Sequence, residues 1–160
     1  MNIILVNGMM KPGYNDFDGI SLTAALKDGF NIFGSLTAGL KMNTIEARKA
    51  SDMCNRRGEV LIYKTTNPAI FFVPKTRGQK EETFLIKDLL DACSHCKVKR
   101  LMFTHYIYLM KQFPEKEVAS IFSYIKENEN IDLQTMIWEI DSNFYDSFLE
   151  LYHQYFPKND

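Results

Sequence analysis

The sequence predicts a single α/β domain built on a mostly parallel sheet, and three observations carry that expectation. From Glu59 onward, β-prone apolar runs alternate with amphipathic segments in the order strand, strand, helix, strand, helix, strand, helix. Such a rhythm implies βαβ crossovers, which set parallel strands side by side. Ile70-Phe71-Phe72-Val73 is apolar without a break, the pattern of a strand covered on both faces. The chain has 160 residues and shows no internal repeat, low-complexity tract or linker, so one domain spanning 1–160 is the economical organisation.

The elements follow in order. Asn2 to Val6 is a compact apolar run closed by Asn7-Gly8, a strand and a turn. Lys11 to Asp16 carries Pro12 and Gly13 and reads as a loop. Gly19 to Thr23 is a second strand, and Lys27-Asp28-Gly29 turns the chain. Ser35 to Met42 can open a helix with Ser35 as its N-cap. Thr44 to Arg56 is a clearer helix, with Ile45, Lys49, Asp52 and Met53 mixing apolar and charged faces and Gly58 just past its end. Glu59 to Lys64 is a strand, Thr66-Asn67-Pro68 a turn, and Ala69 to Val73 another strand.

Glu81 to Cys96 has Phe84, Leu85, Leu89 and Ala92 at helical spacing. Lys99 to Phe103 is a short strand, while Thr104 to Phe113 fits neither period. Pro114 to Glu127 is a helix, with proline suited to its first turn and Val118, Ile121, Phe122 and Ile125 on one face. Leu133 to Ile140 is a strand holding the sole tryptophan, Trp138. Asn143 to Phe156 closes the fold as a helix with Phe144, Phe148, Leu151, Tyr152 and Tyr155 inward.

Composition removes several function classes. A 46% hydrophobic and 24% charged chain has the balance of a packed globule rather than a disordered one. With a net charge of -1 it exerts no broad pull on phosphate backbones, so nucleic acid is not the expected partner. No apolar stretch approaches the ~20 residues needed to span a bilayer, and no membrane association is expected. The apolar start lacks a basic leader and a small-residue cleavage site, so it reads as a strand. Three cysteines, Cys54, Cys93 and Cys96, do not suggest a disulfide framework. Reduced thiols in a cytoplasmic protein are expected.

The order of elements resembles the macro domain, with a three-layer α/β/α architecture, and particular segments add to the likeness. Asn2 to Gly8 looks like that family's first strand and turn. Asp18-Gly19-Ile20 occupies the place of its Asp-Ala-Ile. The stretch Asn31 to Leu40 looks like a degraded glycine-containing phosphate loop running into a helix. Gly58 to Arg77 is similar to antitoxin-type macro domains that remove ADP-ribose from DNA, and Glu82 to Leu101 matches the next αβ unit. The departures fall on the ligand site. Leu22 and Ala25 stand where the family places asparagines, and the loop from Thr104 to Met110 holds no glycine. Glycines there let backbone amides approach a diphosphate closely.

Several residues are candidates, each beside a plainer reading. Asn31, Gly34 and Ser35 can present amides to an anion, or form an ordinary loop and N-cap. Lys75 and Arg77 follow a strand end, where ligands of parallel sheets bind. A cation there can hold phosphate or activate a nucleophile, and the antitoxin-type relatives have a functional lysine one residue away from the place of Lys75. Two solvated loop charges are the alternative. Thr104, His105 and Tyr106 follow another strand end: His105 can serve as general acid or base and Tyr106 can stack on an adenine or ribose, or the three can simply pack. Thr23 closes the second strand on the same rim. Cys93-Ser94-His95-Cys96 has the gap of a metal knuckle but lacks a second Cys/His pair nearby, so no metal is expected.

The resemblance implies binding of ADP-ribose or a related nucleotide, without cofactor. The missing motifs point away from hydrolysis. If activity persists, the resemblance implies an ADP-ribosyl hydrolase or an ADP-ribose phosphate phosphatase. Small genomes, including those of phages, carry divergent macro domains used against host ADP-ribosylation, which implies such a setting. The alternative is a catalytically dead α/β domain that acts through protein contacts, with the aromatic-rich last helix as partner or homo-oligomer surface. If His105 carries chemistry, His105→Ala abolishes turnover or ligand binding; unchanged binding and activity in that variant remove it from the site.

Overall fold

The computed structural model describes residues 1–8, 17–24, 44–74, 82–103, 115–128 and 131–157. Six strands form one sheet: β1 (Asn2–Asn7), β2 (Gly19–Ala24), β3 (Leu61–Lys64), β4 (Ala69–Pro74), β5 (Arg100–Phe103) and β6 (Thr135–Ile140). Four described helices are α1 (Thr44–Arg57), α2 (Glu82–His95), α3 (Glu115–Glu127) and α4 (Tyr145–Tyr155). The sheet order is β1-β6-β5-β2-β4-β3. Every neighbouring pair is parallel except β3 with β4, which is antiparallel and shifts register between Ile62 and Lys64. The mostly parallel sheet expected from the alternation is therefore present, with its one exception where two strands follow each other without a helix.

Helices cover both faces. One face carries α2, α3 and α4 over a large core that includes Phe71, Leu89, Leu101, Phe103, Phe122, Trp138 and Phe148. Phe122 is its hub: its ring lies 5.2 Å from that of Trp138 and 5.9 Å from that of Tyr152. Trp138 meets Phe103 at 4.7 Å. Tilted and edge-on pairs of this kind add to the area they bury. The other face carries α1 over a smaller core of Ile20, Leu22, Ala24, Ile70, Phe72 and Met102.

The face α1 buries differs from its apolar pattern. Ala47, Ser51 and Cys54 are buried at helical spacing, whereas Ile45 is 67% exposed and Met53 36% exposed. Small residues let the helix axis lie close to the sheet, and the larger apolar side chains are left outside. Gly58, at φ +63°, ends α1 by donating its N–H to the Cys54 carbonyl at 2.9 Å, as its place in the sequence predicts.

The start of β2 is the tightest junction. Asp18 accepts backbone N–H bonds from Lys99 and Arg100, the latter at 2.8 Å, while its own N–H reaches the Arg100 carbonyl and its carbonyl takes the Ala69 N–H. One residue thus ties the beginnings of β2, β4 and β5. The end of α2 is brought to the same place. Lys97 adopts φ +58°, Val98 N–H bonds the Cys93 carbonyl at 2.8 Å and Lys97 N–H bonds the Ser94 carbonyl at 3.1 Å, a Schellman closure without glycine. Val98 then sits against Gly19. A Cβ on Gly19 would lie 2.7 Å from Val98 Cγ1.

The element bounds differ from the sequence expectation by one or two residues. Leu61 rather than Glu59 opens β3, Thr135 rather than Leu133 opens β6, and β2 and β4 each run one residue further than expected. Thr23 is therefore inside β2 rather than at the turn after it. The helix expected over 35–42 lies outside the described residues. Gly19→Ala is expected to cost about 1–3 kcal/mol of stability by overpacking. Urea denaturation measures it, and Val98→Ala in the same chain should recover part of the loss.

Candidate functional site

Five strands, β1, β6, β5, β2 and β4, run the same way, so their C-terminal ends share one edge of the sheet. Ligands of open α/β sheets bind beyond that edge. The ends are not level. Phe103, the last residue of β5, pairs with Ser21 of β2 on one side and with Trp138 of β6 on the other. β2 continues three residues further, through Leu22, Thr23 and Ala24, and β6 continues through Glu139 and Ile140. The stretch of this edge between β2 and β6, beyond Phe103, is termed the notch, and the residues that follow Phe103 lie outside the described residues.

The walls of the notch are fixed from behind. Asn55, near the end of α1, donates its Nδ2 to the Ala24 carbonyl, so a helix side chain holds the end of β2. Cys54 Sγ donates to the carbonyls of Glu59 at 3.1 Å and Phe72 at 3.4 Å, binding α1 to β4 and to the entry of β3. At the far side, Gly8 adopts φ +92° and donates its N–H to the Ile140 carbonyl at 2.7 Å, which ends β1 against β6. Asp141 Oδ1 accepts the Asn143 N–H at 2.9 Å and turns the chain into α4.

The candidate residues divide by position. Thr23 pairs in register with Val73 near the end of β2. In the sequence Lys75 follows Pro74, the last residue of β4, and Thr104 follows Phe103, the last of β5; Lys75, Arg77, Thr104, His105 and Tyr106 lie outside the described residues, as do Asn31, Gly34 and Ser35. Leu22, at the place of a family asparagine, is fully buried under α1, so it serves the core. Ala25 lies outside the described residues.

One residue escaped the sequence reading. Glu139, 2% exposed, is the next-to-last residue of β6. It pairs with Val6 and stands one position beyond the Trp138–Phe103 pair. Alternation along the strand sets it opposite Trp138, on the α1 side. The signal was a single carboxylate inside Thr135-Met136-Ile137-Trp138-Glu139-Ile140, where a buried strand otherwise admits no charge.

The thiols are structural in their surroundings. Cys93 is fully buried within the larger core, and burial pushes its thiol up, with Cys96 and Asp18 adding to the rise. Cys96, half-buried, is also raised by desolvation. Among the described residues no group of three or more His, Cys, Asp or Glu side chains is placed to hold a metal ion.

No protein-family model matches the chain, and no curated protein sequence does. Solved structures do. The macro domain of ganglioside induced differentiation associated protein 2 superimposes with a TM-score of 0.70 at 14% identity, covering 98% of this chain and 86% of that one. The chain has a macro-domain fold. A mutant of the Oceanobacillus iheyensis macrodomain matches with a TM-score of 0.63 at 13% identity, covering 95% of this chain and 92% of that one. The macrodomain of Thermus aquaticus DarG gives 0.59 at 12% identity, covering 86% and 99%. At such identities the likeness fixes the architecture and leaves the chemistry to this chain's own residues.

Burial pushes the Cys54 thiol from 9.0 up to about 12, against a smaller lowering by a backbone hydrogen bond at Leu61. A raised folded value favours the protonated thiol, so this contribution to stability is whole below about 9 and is lost as pH rises towards 12. Unfolding free energy measured by urea should therefore fall as pH climbs above about 9. Cys54→Ala should flatten part of that decline, with Cys93, Cys96 and Tyr63, which burial also pushes up, contributing to what remains.

Proposed function

We propose that this macro domain binds ADP-ribose or a related nucleotide at the notch between β2 and β6, and that it does so without hydrolysing it. The observation that supports the reading is the shared edge: five parallel strands present their C-terminal ends together, with β5 in the middle. In the sequence Thr104, His105 and Tyr106 follow β5, and Lys75 and Arg77 follow β4, two strands away. A parallel sheet offers its ligand this edge. The residues that begin there supply a base, a cation pair and an aromatic ring, which suit a phosphate-bearing nucleoside.

The absence of turnover follows from the same segments. Leu22 is committed to the core, and the glycine-free loop from 104 to 110 offers bulky side chains where bare backbone would let amides reach a diphosphate. A binder that captures ADP-ribose groups without releasing them suits a phage or bacterial protein that blunts ADP-ribosylation. Calorimetry with ADP-ribose is the test. A micromolar affinity is expected, with no ADP-ribose released from a modified DNA or protein substrate. No heat at millimolar ligand defeats the binding reading, and released ADP-ribose defeats the non-hydrolytic one.

A further inference from the structure

A second cleft lies between α3 and α4. Its volume is about 320 Å³, and it is lined by Ala119, Ser120, Ser123, Tyr124, Glu127 and Tyr155. Both helices run back from the ligand edge toward the strand-start edge, since α3 leads into β6 and α4 follows it. The lining runs along α3 from Ala119 to its last residue, Glu127, and meets Tyr155 at the end of α4, so the cleft extends to the edge opposite the notch.

The lining has a definite chemistry. Two phenol rings and two serine hydroxyls surround a single charge, the Glu127 carboxylate. Among the described residues that line the cleft, none is a cation. The walls are also held in place. Ser123 Oγ donates to Glu127 Oε1 at 3.2 Å, one helical turn away. Asn128 Nδ2 donates to the Tyr124 carbonyl at 2.7 Å and closes the end of α3. Tyr155 rests against Phe122, with ring centres 6.1 Å apart. Glu127 is the last residue of α3, where the negative end of the helix dipole disfavours a carboxylate. An arriving cation would relieve both the side chain and the helix end.

We propose that this cleft is a docking site for an arginine side chain of a partner polypeptide. A guanidinium is planar and weakly hydrated, stacks on aromatic rings and pairs with a carboxylate through two parallel N–H bonds. The cleft has room for that group and its aliphatic stem, so one side chain of the partner can occupy it.

The test uses the intact chain and two small probes that differ in charge alone. N-acetyl-arginine amide should give saturable NMR shifts of the Tyr124 and Tyr155 rings and of α3 amides near Glu127. N-acetyl-citrulline amide, its neutral counterpart, should leave them unmoved. Glu127→Gln, at an exposed position, should keep the fold and weaken the arginine probe about fivefold. Equal shifts with citrulline, no saturable shift with arginine, or unchanged affinity in Glu127→Gln would each overturn the proposal. The readout is confined to the cleft and holds whether or not ADP-ribose binds at the notch.

Discussion

The carboxylate and backbone of Asp18 set the frame on which the sheet is built. A parallel sheet has no hairpins to align neighbouring strands, so register must come from elsewhere. Here Asp18 bonds to Lys99, Arg100 and Ala69, and three strands begin level with one another. Gly19 beside it admits Val98 into the space a methyl group would fill, which brings the end of α2 onto the same point. Charge-assisted bonds to backbone amides are among the stronger hydrogen bonds, and this junction spends them at the pole away from the proposed ligand.

That placement separates two jobs along the strand axis. At the starting pole, Asp18, Gly19 and Val98 fix alignment, and the interior between Trp138, Phe122 and Phe148 supplies the apolar mass. At the finishing pole the described strand ends carry contacts such as Asn55 to Ala24 and Gly8 to Ile140. The segments that follow those ends can change composition without touching the alignment. Leu22 and the glycine-free run after Phe103 show how far such change has gone in this chain, while the sheet still superimposes on macro domains at 14% identity or less.

The fold was legible because its determinants are periodic or local. Apolar runs at β4 and β6 and the helical stripe Val118, Ile121, Phe122 and Ile125 state their geometry directly, and both strands are buried along their length. Helix α1 was read as a helix but not by its buried face, because Ala47, Ser51 and Cys54 carry little hydrophobic signal beside the exposed Ile45 and Met53. The site was less legible. Position after a strand end marks a residue as a candidate, but which strand ends lie side by side is set by long-range pairing, which no local pattern states. Glu139 was passed over because a lone acid in an apolar run looks like a strand edge until its burial is known.

The antiparallel flank has a bearing on how the molecule behaves in company. β3 is the outermost strand beside β4, and its pairing slips between Ile62 and Lys64. An irregular ladder with an exposed lysine presents poor template geometry to a stranger's backbone. Sheet growth by stacking of neighbours, the usual opening move of fibril formation, is therefore discouraged on that side, and a protein rich in unbroken apolar strands gains a measure of solubility from one misplaced residue.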